Sequence, residues 1–225
     1  DMDLFTIRSH QLAHQAHQNH NYDNEIFAFK GSIQENNIRP SLDLNKISSM
    51  KPSFKKEGTH TAANSTGLTD GATSCLISSE EKAKELNIKP LGYIIDSVFV
   101  GTDPYQEMLL GPAYAIPKLL KRNNLNLNDI DVFEIHEAFA GQILANLNAL
   151  DTETFCQENF NQSKLGEIPL DKLNLWGGSL AIGHPLAASN IRNIMTAVNR
   201  LQKEDKELAL VAACADSGLA NAMLI

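Results

Sequence analysis

Gly177-Gly178-Ser179-Leu180-Ala181-Ile182-Gly183-His184-Pro185 places an imidazole in a glycine-rich turn closed by a proline, just ahead of an expected helix. Glycines let backbone approach a ligand closely, and the proline fixes the turn. The positive end of the following helix favours the neutral ring, which can take a proton from a thiol. The plainer reading of a bare Gly-His-Pro is a histidine completing a tight turn. Further on, Cys214 follows the apolar run Leu208–Ala213 and precedes Ala215-Asp216-Ser217-Gly218. A thiol at the mouth of a sheet can act as acid or base if its thiolate is stabilised, although free cysteines are more often small buried hydrophobes. A third group lies in His136-Glu137-Ala138-Phe139-Ala140, where a strand is expected to give way to a helix. Strand ends of this kind are where open α/β sheets bind ligands, and His136 could hold a water or donate to a developing oxyanion. Alternatively, Glu137 caps the helix and His136 is merely exposed.

The elements that position these groups follow from pattern. A helix is expected from Leu4 to about Asn19, with Leu12, Ala13 and Ala16 at helical spacing. The polar stretch from about Gly31 to Gly58 lacks a period and reads as an excursion lying on a body. Asp70–Ser78 reads as a small-residue strand. Ser78-Ser79-Glu80-Glu81 has capping-box spacing for a short helix ending before Pro90. Leu91–Val100 is β-branched and aromatic enough for a strand. The next helix is expected to begin near Pro117, since proline is tolerated in a first turn. Asn128-Asp129 caps a brief element before a strand Val132–Ile135. A helix Ala138–Leu150 is expected to bury Phe139, Ile143, Leu144 and Leu147, and a loop region follows to Asn174. A helix Ala188–Gln202, a strand Leu208–Ala213, a Ser-Gly turn and a strand Leu219–Ile225 complete the chain, the last two strands pairing antiparallel across their short turn. Strands alternating with helices make an α/β layered fold.

Composition narrows the function classes. A chain of 225 residues with 43% hydrophobic and 20% charged residues has the makeup of a globular domain with a sizeable core. A formal charge of −8 argues against general nucleic-acid binding, which needs clustered cations. It does not exclude a polyanionic ligand held by local cations and backbone N–H groups. No apolar run approaches the roughly 20 residues of a membrane span, and Asp1-Met2-Asp3 does not open a signal peptide. Three cysteines without CxxC spacing point to a reduced compartment, cytoplasmic by default, an organellar matrix being equally compatible.

Taken together, HEAFA, then GGSLAIGHP, then a cysteine after an apolar strand closely resembles the thiolase family. With His136 in place of the commoner asparagine, the chain is similar to the β-subunits of fatty-acid β-oxidation trifunctional complexes and their bacterial relatives. Arg8-Ser9-His10-Gln11-Leu12-Ala13, the run Thr61–Ala72 and Gly141-Gln142-Ile143-Leu144-Ala145-Asn146 extend the match over nearly the whole chain. The resemblance corresponds to the second half of a thiolase. It implies a layered fold with a mixed sheet and helices on both sides. It also implies three parts: residues 1–68 from the loop domain that covers coenzyme A, 69–89 as the last strand and helix of the N-terminal core domain, and 90–225 as the C-terminal domain.

The implied activity is thiolytic cleavage of a 3-ketoacyl-CoA, or the reverse Claisen condensation, with coenzyme A as co-substrate, no other cofactor and no metal. By resemblance His184 activates a nucleophilic cysteine and helps form an oxyanion hole, His136 completes that hole, and Cys214 moves the proton on the α-carbon of the acetyl unit. Asn64, Thr66 and Gly67 lie along the pantetheine arm, with Thr66 where serine is usual. Asp216 and Gly218 belong to the loop of a second oxyanion hole. The nucleophile itself belongs to the other half of the family fold, because Cys75 is expected in a hydrophobic strand and Cys156 in a loop. Two loops depart from the family pattern: Ala187 and Asn190 replace usual glycines, and Asp216 brings a carboxylate where an N–H should stabilise negative charge. The implied partners are acyl-CoA and CoA, a thiolase N-terminal half or a second copy covering residues 69–89, and a β-oxidation α-subunit. The alternative is a non-catalytic thiolase remnant that binds CoA esters or a partner subunit; a sterol-carrier-type or ketosynthase relative fits the motifs less well.

Two further features carry a reading of their own. His10, His14, His17 and His20 share a helical stripe that could ligate zinc or nickel, although the Gln/Asn context favours a solvated face. The Lys51–Lys56 cluster with Phe54 reads as a charged loop within reach of a CoA phosphate.

Overall fold

The computed structural model describes residues 1–31 and 37–225, so part of the polar stretch Gly31–Gly58 lies outside the described residues. Four strands make one mixed sheet in the order β1-β4-β3-β2: β1 Asp96–Gly101, β2 Val132–Ile135, β3 Ala209–Ala215 and β4 Leu219–Leu224. β4 is antiparallel to β1 and β3, and β2 is parallel to β3. The helices are α1 Met2–Gln18, α2 Leu44–Ser48, α3 Glu80–Glu85, α4 Gly111–Arg122, α5 Ala140–Leu150, α6 Glu153–Phe160, α7 Ser179–Ile182 and α8 Ser189–Lys203.

Strand parity explains the layers. Alternate residues of β3 point to opposite faces. Leu210 and Ala212 pack with Ile116 and Leu119 of α4, while Ala209 and Val211 pack with Ala197, Val198 and Leu201 of α8. Covered on both faces, β3 is buried from Ala209 through Cys214 and shows no polar alternation. Ile116 and Leu119 are fully buried, each contributing about 1.5–3 kcal/mol of apolar burial. α1 lies against α7 and α5, and its end is fixed where the Tyr22 hydroxyl donates to the Trp176 carbonyl.

Several elements differ from their sequence pattern, each for a local reason. Residues 71–79 form neither helix nor strand, leaving Leu76, Ile77 and Cys75 exposed. A strand needs a partner ladder, and among the described residues the edge strand β1 is paired with β4 alone. The helix after this segment is capped by Ser79, whose hydroxyl accepts from Lys82 N, one residue later than the box spacing implied. β1 begins at Asp96 rather than Leu91, because Gly92 passes close over Ile225 and Val198 in place of pairing. α4 begins at Gly111 with Pro112 in its first turn, so Pro117 sits inside the helix, where the burial of its neighbours offsets the lost hydrogen bond. α5 starts two residues late, with Phe139 as its extended N-cap, and its buried face is Ala140, Gln142, Ile143, Asn146, Ala149 and Leu150. Asn146 goes inside because its side chain ties Ala113 N to Leu109 O. The loop expected to Asn174 contains α6, and Cys156 is buried in that helix rather than in a loop. The polar stretch likewise contains α2, capped by Asp43. The histidine stripe is not a solvated face throughout: His10 is buried on the packing side of α1 and accepts from Arg39 N.

Candidate active site

β2 delivers His136 to the carboxyl end of the sheet, where His136 N still bonds Ala212 O of β3 at 2.8 Å. The chain then turns Glu137 inward, and that carboxylate does not cap α5. Ser9 Oγ donates to it at 2.6 Å, Asn174 Nδ2 at 2.7 Å and Leu180 N at 3.2 Å, so it caps the first turn of α7 instead. Gly178 is required at this point, since a Cβ there would collide with the Glu137 carboxylate. Burial pushes the Glu137 carboxyl up, against the pull of Ser9, Asn174 and Leu180.

α7 is thereby fixed, and it presents Ser179 to two partners. Ser179 Oγ lies 2.9 Å from His136 Nδ1 and receives Arg192 Nη2 of α8 at 2.8 Å. Its carbonyl accepts from Thr66 Oγ1 at 2.6 Å. Gly183, at φ +97°, ends α7 and turns the chain into His184. His184 N donates to Gly67 O at 2.8 Å, and His184 Nδ1 lies 2.6 Å from Ser189 Oγ. The result is that the His136 and His184 rings sit 4.4 Å apart between centroids, tilted by 45°.

The segment 64–68 forms a wall along this pair. Thr66 N bonds Ala138 O, Ala140 N bonds Asn64 O, and short bridges join Ser65 to Phe139 and Leu68 to His184. Asn64 is buried within that wall, its amide donating to Asp3 and Thr59 and its carbonyl oxygen accepting from Thr61 N. It therefore shapes the wall and offers no free donor. Phe139, with Phe54 and His60 packed edge-on against it, continues the wall outward.

Electrostatically both rings are held neutral. Burial lowers His136 to about 3, with the His184 ring and the Arg192 charge adding to the effect. His184 is lowered by burial and then by Arg192. Cys214, at the same carboxyl end of the sheet and paired with Ala220, is pushed up to about 11 by burial. It is a protonated thiol at neutral pH. Beyond it, Asp216 is exposed and its carboxylate takes the N–H of Ser217, which stands at φ 64°. Gly218, at φ +76°, packs against the Thr102 carbonyl, a place no side chain would fit.

The structure thus brings His136, His184, Thr66 and Gly67 into one constellation, and sets Cys214 at the same edge of the sheet. Asp216 and Gly218 form the turn after it. Ser179, Ser189 and Arg192 were not singled out by the sequence pattern. One signal was available: a cation in the first turns of a helix opposes the helix dipole and calls for a reason. The aromatic contacts of Phe54 and His60 with Phe139 carried no such signal.

The family model described as thiolase, C-terminal domain, matches residues 88–225, and that described as thiolase, N-terminal domain, matches residues 1–81. A probable 3-ketoacyl-CoA thiolase of Caenorhabditis elegans is 49% identical over 233 residues, covering 100% of this chain and 52% of that protein. The mitochondrial trifunctional enzyme subunit beta of Bos taurus is 47% identical, covering 100% of this chain and 48% of that one. The crystal structure of human mitochondrial 3-ketoacyl-CoA thiolase in complex with CoA superposes with a TM-score of 0.88 at 32% identity, covering 99% of this chain and 53% of that chain. The chain spans about half the length of the curated relatives it matches.

Proposed function

The chain belongs to the thiolase family, and we propose that it carries the histidine and proton-transfer half of a 3-ketoacyl-CoA thiolase site of fatty-acid β-oxidation. The observation that carries this reading is the pair of neutral imidazoles 4.4 Å apart beside the wall 64–68, with a protonated thiol at the same sheet edge. In the cleavage direction a cysteine thiol from the other half of the family fold gives its proton to His184 and attacks the C3 carbonyl. His184 is suited to this: with the Ser189 hydroxyl donating to Pro185 O, Nδ1–H donates to Ser189 and Nε2 is left as the base. The oxyanion that forms at C3 meets N–H donors from His184, now protonated, and His136. The C2–C3 bond breaks, its electron pair passes to C2, and Cys214 supplies the proton that completes acetyl-CoA. A thiol raised to about 11 is matched to an enolate, which is a stronger base than water. A second coenzyme A then takes the acyl group from the thioester.

Asn64, Thr66 and Gly67 shape the wall along which the pantetheine arm is proposed to lie. The division at 1–68, 69–89 and 90–225 is kept as the proposed domain plan, and the exposed residues 71–79 as the surface that an N-terminal half or a second copy covers. The trifunctional beta relatives support an α-subunit as a further partner and the mitochondrial matrix over the cytoplasm as the compartment.

A second reading, a thiolase remnant that binds CoA esters without turnover, is favoured by one observation: the Asp216 carboxylate occupies the Ser217 N–H, in the loop where an oxyanion needs a donor. Assaying acetyl-CoA release from 3-ketoacyl-CoA and CoA separates the readings. The chain combined with an N-terminal half bearing a nucleophilic cysteine should turn over, and Cys214→Ala should lower the rate at least ~100-fold. Turnover by the 225 residues alone would place the nucleophile in this chain and overturn the proposed division. An assembly that binds CoA but releases no acetyl-CoA would establish the second reading.

A further inference from the structure

We infer that Arg192 and Ser179 are positioning residues that keep the ring proton of His136 on Nε2, making that ring a fixed donor. The inference deepens the thiolase reading and rests on it for what the Nε2 proton does in catalysis; where the proton sits does not depend on turnover.

The geometry assigns the proton. A guanidinium can only donate, so Arg192 Nη2 at 2.8 Å must fill an acceptor site of Ser179 Oγ. A second lone pair remains on Oγ, but Ser179 is fully buried and its hydroxyl proton meets, among the described residues, one acceptor, His136 Nδ1 at 2.9 Å; pointed anywhere else it would be left unpaired. Nδ1 becomes an acceptor, and the proton of the neutral ring resides on Nε2. The place of Ser179 is fixed by its surroundings. It is fully buried, and its backbone is held by the α7 turn and by Thr66 Oγ1 on its carbonyl.

Arg192 makes no ion pair within 4 Å among the described residues, although its charge also acts on Glu25 and Glu134. It lies in the first turns of α8, where a cation works against the helix dipole. Its Nε is buried without a hydrogen-bond partner among the described residues. The two carboxylates that feel its charge are bonded elsewhere: Glu134 to Arg200, and Glu25 to Thr196 and Asn199. Among the described residues, the charged or titratable groups acting on His136 are the His184 ring and Arg192, and both oppose a second proton. His184 takes the opposite tautomer through Ser189, so two adjacent imidazoles are set as one donor and one base.

Histidine-15N labelling of the chain, with long-range 1H–15N correlation at pH 7.5 and His136→Gln for assignment, reads the tautomer directly. His136 should show a protonated Nε2 and a bare Nδ1. In Arg192→Met, Ser179 is released to accept, so part of the His136 proton should move to Nδ1 and the titration midpoints of both rings should rise. Arg192→Lys should restore the wild-type pattern in part. A wild-type proton on Nδ1 would overturn the inference, as would identical tautomer and midpoints in Arg192→Met. Should that variant fail to fold, the wild-type spectrum alone decides, and Ser179→Thr, which keeps the hydroxyl, should preserve it. In the assembled enzyme Arg192→Met should lower kcat about 10–100-fold with KM little changed. Proton placement as expected with kcat unchanged would refute His136 as an oxyanion donor while leaving the tautomer assignment intact.

Discussion

Acidification should destabilise this chain through one buried imidazole, and the size of the effect follows from its surroundings. His136 is 3% exposed, and its folded value of about 3 lies well below the ordinary 6.5. At pH 5 the unfolded ring gains a proton worth 1.36 kcal/mol for each unit below 6.5, or about 2 kcal/mol. The folded ring at pH 5 is still neutral and gains nothing. Its contribution is therefore complete above pH 6.5, falls by about 2 kcal/mol at pH 5, and continues to fall towards pH 3. His136→Gln keeps a polar group near Ser179 and cannot titrate. Urea unfolding followed by the fluorescence of Trp176, the one tryptophan of the chain, should be run on both proteins at pH 7, 6 and 5 at fixed ionic strength. Whatever the substitution does at pH 7, the wild type should lose about 2 kcal/mol more than the variant between pH 7 and 5. His10, lowered to about 4 by burial, adds a fall of its own to both proteins and cancels in the difference. Equal losses within about 0.5 kcal/mol would show that His136 takes up a proton in the fold as readily as in the unfolded chain. Burial would then not be what keeps the ring neutral.

Other substitutions test the framework around the site. Ala187 stands at φ 66°, where an L side chain is strained, so Ala187→Gly should raise stability by about 0.5–1 kcal/mol; Ala188→Gly, at φ −96°, should lower it, and thermal unfolding of the pair checks the sign. Gly178→Ala drives a Cβ into the Glu137 carboxylate and should destabilise by about 3 kcal/mol or more, whereas Gly67→Ala has open space and should stay within about 0.5 kcal/mol in denaturant titration. Arg200→Met leaves Glu134 buried and unpaired and should lose about 3–5 kcal/mol. Adding Glu134→Leu should recover most of that loss, and a double-mutant cycle measures the coupling.

Legibility in the sequence varied with the kind of signal. Val132–Ile135 was recognised to the residue and α8 to within one, because a short apolar run and a long amphipathic period are local properties. The His-Glu and Gly-His-Pro motifs placed two imidazoles at strand and helix ends, and the fold set them side by side. Residues 71–79 misled because small apolar residues suit a strand, yet a strand exists only where a partner pairs with it. α4 misled in a different way, through a proline accepted inside a helix whose packing compensates for it. The alternative in which Glu137 caps the helix next to it does not hold, because it caps α7, a contact no local pattern encodes. Ser179 and Arg192 stayed unassigned for the same reason. Their meaning depends on a ring brought in from 43 residues earlier.

The contacts that assemble the two imidazoles also set when, in folding, the site comes into being. Ser9 meets Glu137 across 128 residues of chain, and Thr66 meets Ser179 across 113. Closing loops of that length is entropically expensive, so such pairings follow the local helices and the β3-β4 hairpin. None of them is bonded until three remote segments have converged on α7. The geometry that gives each ring its proton is therefore a late product of folding, reached only once the chain has already committed to its sheet. Amide exchange at Leu180 and His184 should report that last step, opening before the strands do.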